Sequence, residues 1–356
     1  MAKKLTELTW EEFQGFDVYE KGACLRLERP HVFHTLVAQQ FDRRFLDELC
    51  ELTTTIRTIA KDKEGMLFLK GLLAHKRAML YFSQPSSRTF LSFSAACQIL
   101  GIDTEEVRDT AVSSEFKGET QEDSVRTFSS YFDLIIMRSK VAGLAERMAW
   151  VLSNSDRPVP IINGGSGRDQ HPTQSLLDIY TLQRSFEDRG GIDGKQIVFV
   201  GDLLRGRTVR SLATLLMQYR DVDQVFVAPR QLQLGEDIQK LLSKGGVNFS
   251  LTDDFDSAVL EADAVYMTRV QDEWDDETGD SRKIDTSRYH FTAAHLDMLK
   301  PGAIVMHPFP RRKEIAVEVD NDPRAMYWRQ MRNGMWTRSA LMAVTFGVDR
   351  EIASQL

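Results

Sequence analysis

Apolar residues at Phe41, Phe45, Leu46, Leu49, Leu52, Ile56 and Ile59 recur at helical spacing and mark an amphipathic helix. Beyond it the pattern changes. Short runs that are apolar on both faces (Ala78–Phe82, Leu134–Met137, Val159–Ile162) alternate with helical stretches over roughly 90–100, 121–131 and 143–152. Strands without a polar face, separated by helices, predict a parallel sheet covered on both sides. After the glycine-rich segment Asn163–Gly167, read as a turn, a helix is expected over 173–185. A second set then begins with a strand at Gln196–Gly201 and a helix over roughly 207–219. Further strands are expected at Gln224–Val227, Val247–Leu251, Ala264–Met267 and Ala303–Met306. The tail reads as two helices, Ala325–Met331 and Gly334–Phe346, and the polar stretch Asp272–Ser287 as a mobile surface loop.

The pattern predicts an α/β chain with two doubly wound domains, each a mainly parallel sheet flanked by helices. The first thirty or so residues are weakly periodic. They are read as an N-terminal extension, residues 1–35, ahead of a first domain over 36–172 and a second over 173–325. The length of 356 residues suits two cores.

Composition narrows the function classes. A formal charge of −7 argues against a general nucleic-acid surface, and no apolar run is long enough to span a membrane. Three widely spaced cysteines (Cys24, Cys50, Cys97) form no CxxC pair and suit a reducing compartment, so a cytoplasmic location is expected. No His/Cys/Asp/Glu set has metal spacing, and no metal is expected.

The chemistry-bearing residues sit where strands end. Ser86-Ser87-Arg88-Thr89 closes one strand and opens a helix, and a helix N-terminus is an anion site to which hydroxyls and a guanidinium add donors. Taken alone, that tetrapeptide is equally well read as an ordinary serine cap with an incidental arginine. Arg138, His171-Pro172-Thr173-Gln174, Gly206-Arg207-Thr208, Arg269-Val270-Gln271 and His307-Pro308-Phe309-Pro310-Arg311 follow five other strands. Ligands of open α/β sheets bind beyond the carboxyl ends of the strands. Six such ends carrying Arg, His or hydroxyl groups imply an anionic ligand in each domain, with chemistry in the cleft between. The loop Ser113–Thr120 contributes a lysine beside a glycine and, on its own, reads as plain exposed loop.

In order and spacing these motifs, together with Lys117-Gly118-Glu119-Thr120, resemble the carbamoyltransferases, most closely the catalytic chains that take aspartate as acceptor. The resemblance covers roughly residues 35–350. It implies an interdomain active site that transfers the carbamoyl group of carbamoyl phosphate to L-aspartate, a step of pyrimidine biosynthesis, with no cofactor. It implies a carbamoyl phosphate site of Ser86, Ser87, Arg88, Thr89, Arg138, His171 and Gln174. It implies an aspartate site of Lys117, Arg207, Arg269 and Gln271, with the carbonyls near Phe309 and Pro310 holding the amine. Arg88, Thr89, Lys117, Arg138 and His171 would be catalytic. Ser113 and Lys117 would reach into a neighbouring subunit, making a homotrimer with shared sites, and the C-terminal helix, 326–356, would complete the first domain. A regulatory chain or another pyrimidine-pathway enzyme as partner, and allosteric control, stay open.

Three positions depart from the family pattern: Ser87 stands for threonine, Phe90 for a frequent arginine, and Gln84 for a glutamate. Two rival readings stand beside it. Ornithine as acceptor would bring a cationic side chain against Lys117 and Arg269. A catalytically silent paralogue would have little use for Arg88, Arg138, His171 and Arg207.

Overall fold

The computed structural model describes residues 3–27, 33–108, 118–167, 170–272 and 284–355. It divides into two compact units, Met1–Leu177 with Gly334–Leu356, and Asp178–Asn333. In the first, strands β1 (Arg77–Phe82), β2 (Asp103–Val107), β3 (Leu134–Ser139) and β4 (Ile161–Ser166) form a sheet in the order β2-β1-β3-β4. Every pair is parallel. In the second, β5 (Gln196–Val200), β6 (Asp223–Val227), β7 (Phe249–Thr252), β8 (Ala264–Met267) and β9 (Ile304–Met306) run in the order β7-β6-β5-β8-β9. These too are all parallel.

Both orders reverse direction once. From β1 the chain winds outward to β2, then returns to the other side of β1 as β3. From β5 it winds to β6 and β7, then returns beside β5 as β8. Each reversal is a topological switch point, where the flanking helices leave a crevice at the carboxyl ends of the strands. One crevice thus falls between β1 and β3, the other between β5 and β8.

The strands are apolar because both faces are covered: β3 and β8 are buried throughout. Edge strand β2, Asp-Thr-Glu-Glu-Val, is half-exposed and reads as polar loop, which explains its absence from the hydrophobic pattern. Helix Lys63–Leu72 likewise buries only Leu69.

Residues 3–27 fold against the first unit. Helices Trp10–Gly15 and Val18–Arg26 each begin with a capping box, at Thr9/Glu12 and Asp17/Glu20. Leu5, Leu8, Phe13, Cys24 and Leu25 enter the same core cluster as Tyr81 and Met137. Trp150 Nε1 donates to the Leu8 carbonyl at 2.9 Å, and Lys21 pairs with Glu146 at 2.6 Å.

Two expectations are corrected. The segment Asn163–Ser166 is strand, not turn. A Cβ at Gly164 would crowd the Met137 carbonyl at 3.3 Å and meet Phe93 and Thr89 at an ordinary contact distance of 3.6 Å. Ahead of a short helix Asp349–Ala353, the stretch 325–346 holds one helix, Tyr327–Phe346, not two. Gly334 reads as a break but sits inside it, packed so closely that a Cβ would lie 3.1–3.2 Å from Arg338, Leu177 and Ser92. Beyond Gly334 this helix belongs to the first unit, where Arg338 bonds Ser92 and lies over Phe93.

Candidate active site

In the first unit, helix Ser87–Leu100 starts directly beyond β1, with Ser86 in extended conformation at its cap. The Ser86 side chain caps no helix N–H. Its carbonyl takes the Phe90 amide at 3.1 Å, while Ser87, Arg88 and Thr89 form the first turn, whose N–H groups point outward. Arg88 is exposed and Thr89 buried. Arg138 lies opposite Phe82 in the adjacent strand, and its carbonyl accepts from the Gln84 amide at 3.2 Å and Ser83 Oγ at 3.3 Å. These bonds bind the two strand ends at the switch point together. The buried Arg138 guanidinium donates to the Gly164 carbonyl at 2.9 Å, and its Nη1 lies 3.5 Å from His171 Nε2. Arginine can only donate, so Nε2 is the acceptor there and the ring proton sits on Nδ1. The His171 carbonyl accepts the Gln174 and Ser175 amides, and Pro172 takes the first position of helix Pro172–Phe186. His171 and Gln174 are both buried. Phe90 is core: it packs edge-on to Phe82 at 5.6 Å with Arg108 over its ring.

In the second unit the glycine after β5 is required. Gly201 has φ +117°, and a Cβ on it would sit 2.2 Å from the Thr268 carbonyl of the chain leaving β8. The fully buried Asp202 then ties the two strand ends together. It accepts from Arg205 Nε at 2.9 Å and from the Gln271 amide at 2.9 Å. Arg207, buried, opens helix Arg207–Leu216, and Arg269 projects beyond β8 with its Nη1 on the Val270 carbonyl at 2.9 Å. The switch point between β5 and β8 therefore carries both arginines.

Beyond β9, Phe309 has φ +56° and a cis bond to Pro310. His307 Nδ1 accepts the Phe309 amide at 2.8 Å, and Nε2 faces Glu314 at 2.8 Å. Burial pushes the His307 pKa down, outweighing the opposing pull of Glu314, so the ring is neutral and donates Nε2–H to that carboxylate. Burial works against the Glu314 charge, but the bonds from His307 and the Arg312 amide hold its pKa below the usual range. The His307 amide donates to Gln330 Oε1 at 2.9 Å, Gln330 Nε2 to Asp178 Oδ1 at 2.7 Å, and Tyr266 OH to Asp178 Oδ2 at 2.8 Å. All four residues are fully buried. Burial drives the Tyr266 phenol well above its ordinary pKa and keeps it a donor. The turn at Phe309–Pro310 thus rests on a buried polar chain.

Ser113 and Lys117 lie outside the described residues, as does most of the polar loop after Asp272. The sequence patterns missed Asp202, Asp178, Tyr266, Gln330 and Glu314, which aim the others. Glu314, seven residues after His307, and Asp202, three before Arg205, carried a local spacing signal. Among the described residues no group of three His, Cys, Asp or Glu side chains could hold a metal ion, and no helix is long and apolar enough to cross a membrane.

Two parallel, doubly wound units, each with arginines at its switch point, define a two-domain α/β protein for acidic ligands. Residues 34–184 match the carbamoyl-P binding domain of aspartate/ornithine carbamoyltransferases, and residues 193–345 match their Asp/Orn binding domain. The chain belongs to the aspartate/ornithine carbamoyltransferase family. It is 41% identical over 310 residues to the chloroplastic aspartate carbamoyltransferase 1 of Pisum sativum, covering 86% of this chain and 77% of the relative. It is 42% identical over 276 residues to the aspartate carbamoyltransferase catalytic subunit of Vibrio cholerae, covering 77% and 86%. The aspartate transcarbamoylase of Trypanosoma cruzi in complex with carbamoyl phosphate and aspartate superimposes with a TM-score of 0.78 at 34% identity, covering 88% and 96%.

Proposed function

We propose that this chain transfers the carbamoyl group of carbamoyl phosphate to the α-amine of L-aspartate, giving N-carbamoyl-L-aspartate and phosphate for pyrimidine synthesis. The observation that carries the proposal is the likeness, across both units, to a relative holding carbamoyl phosphate and aspartate. The paired arginine-bearing switch points support it.

Carbamoyl phosphate is a mixed anhydride, so the neutral amine attacks its carbonyl carbon directly and phosphate leaves with the bonding electrons. Ser86, Ser87, Arg88 and Arg138 hold the phosphate. Thr89, Arg138 and His171 donate to the carbonyl oxygen, His171 from Nδ1, and Gln174 holds the carbamoyl end. Donors fixed in place around the developing charge contribute about 3 kcal/mol each. The departing phosphate takes the amine proton. Arg207, Arg269 and Gln271 bind the carboxylates of aspartate, and the carbonyls near Phe309 and Pro310 orient its amine. An ornithine side chain would meet arginines instead of a carboxylate.

The active form is a homotrimer in which Ser113 and Lys117 complete a neighbour's site, and its three buried thiols suit a reducing cytoplasm. The test is a carbamoyl-aspartate assay on the purified chain beside ornithine, with mass by light scattering. Product from ornithine alone would overturn the acceptor assignment. Lys117→Ala and Arg88→Ala chains, each inactive, should regain activity when reassembled together. Verified hybrid trimers without activity would refute the shared site.

A further inference from the structure

Beside the acceptor half-site lies a carboxylate of the chain itself. Asp272 Oδ1 is 3.9 Å from Arg269 Nη1, and both side chains are mostly buried. Arg312 grips the same carboxylate in a fork, Nη1 to Oδ2 at 3.0 Å and Nη2 to Oδ1 at 2.9 Å. The planar match makes Arg312 the stronger partner, and the longer contact leaves Arg269 the weaker one. Among the described residues, Asp202 accepts from Arg205 and the Gln271 amide, and Glu314 from His307 and the Arg312 amide. Asp272 is a carboxylate that meets Arg269.

We propose that Asp272 is an internal competitor for the acceptor site: it stands at Arg269 where a substrate carboxylate would bind, and Arg312 restrains it. The proposal rests on the aspartate-site reading of Arg269 given above. Its charge opposes an acidic acceptor in two ways, by occupying the guanidinium and by repelling the incoming carboxylate. Arg312 weakens both effects by drawing Asp272 away and neutralising it. The pair sets how much acidic substrate the site requires without touching the reacting atoms, so both are positioning residues.

The test is steady-state kinetics at saturating carbamoyl phosphate. Asp272→Asn keeps shape and one acceptor oxygen; it should lower the aspartate KM about three- to fivefold, the range a partly exposed ion pair supports, with kcat unchanged. Arg312→Gln should raise that KM by a similar factor, because the released carboxylate turns fully to Arg269. In the Asp272→Asn background the same Arg312→Gln change should have little effect. That non-additivity is the readout a merely structural role would not give. An unchanged or raised KM in Asp272→Asn overturns the competitor role. Arg269→Lys, run alongside, separates the two levels: if it leaves the aspartate KM unaltered, the acceptor-site reading fails and the competitor falls with it. If Arg269→Lys raises KM while Asp272→Asn does nothing, only the competitor fails.

Discussion

Replacing Gln330 by methionine keeps the side-chain volume near native but removes both polar atoms from a fully buried position. The His307 amide loses its acceptor at 2.9 Å, and Asp178 Oδ1 loses its donor at 2.7 Å. Each buried polar group left without that partner costs about 1–3 kcal/mol, so the pair costs about 2–6 kcal/mol. For a unit of this size about 1 kcal/mol shifts Tm by roughly 2–4 °C, and scanning calorimetry should show the second unit melting roughly 4–24 °C lower. The loosened His307–Pro310 turn should raise the KM for aspartate more than that for carbamoyl phosphate. Gln330→Glu sharpens the test, since it keeps the acceptor for His307 but sets a second carboxylate against Asp178. Its deficit should shrink on acidification, as one carboxyl of the pair takes up a proton. A fall in Tm of less than about 2 °C for Gln330→Met would show that the buried chain does not support the turn.

Arg88→Ala should lower kcat at least about a hundredfold while circular dichroism and Tm stay near wild type, because it removes charge stabilisation at the leaving phosphate; near-native kcat would unseat the phosphate site. His34 is buried, its Nδ1 accepting the Ile161 amide and Nε2 bonding Ser153, and burial lowers its pKa to about 3. The unfolded chain takes up that proton first, so the contribution is full above about pH 6.5 and is lost as pH falls towards 3. Urea midpoints from pH 7 to 4 should therefore fall more steeply for wild type than for His34→Gln, and parallel slopes would contradict this. Gly201→Ala should yield little folded protein on expression, since its φ of +117° and the 2.2 Å clash with the Thr268 carbonyl leave no room for a Cβ; a soluble variant with native Tm would refute it.

What was legible in the sequence follows from how each element is buried. β1, β3, β5 and β8 lie inside sheets covered on both faces, so their apolar runs announce them. β2 is an exposed edge and shows no such run. The N-terminal helices escape the hydrophobic pattern and read as a weakly periodic extension, because Val18–Arg26 has almost no amphipathic period; their capping boxes, Thr9 with Glu12 and Asp17 with Glu20, are the local signal they carry. The arginines, histidines and hydroxyls of the candidate site were readable because they stand just after strands. Their supports were not. Asp178 meets Gln330 across 152 residues, and Asp202 meets Gln271 across 69, separations with no local pattern.

The first unit is discontinuous in the chain, Met1–Leu177 being joined by Gly334–Leu356 only after the whole second unit has been made. On a ribosome the second unit, one unbroken stretch, can finish folding as soon as it clears the exit. The four-stranded sheet of the first must wait roughly 8–30 s, at ordinary rates of synthesis, for the segment that covers Phe93 and Ser92. During that interval apolar surface destined for the closing helix stands bare. The rate of translation across 178–333, and the chaperones present meanwhile, therefore bear on the yield of this protein more than the order of its active-site motifs suggests.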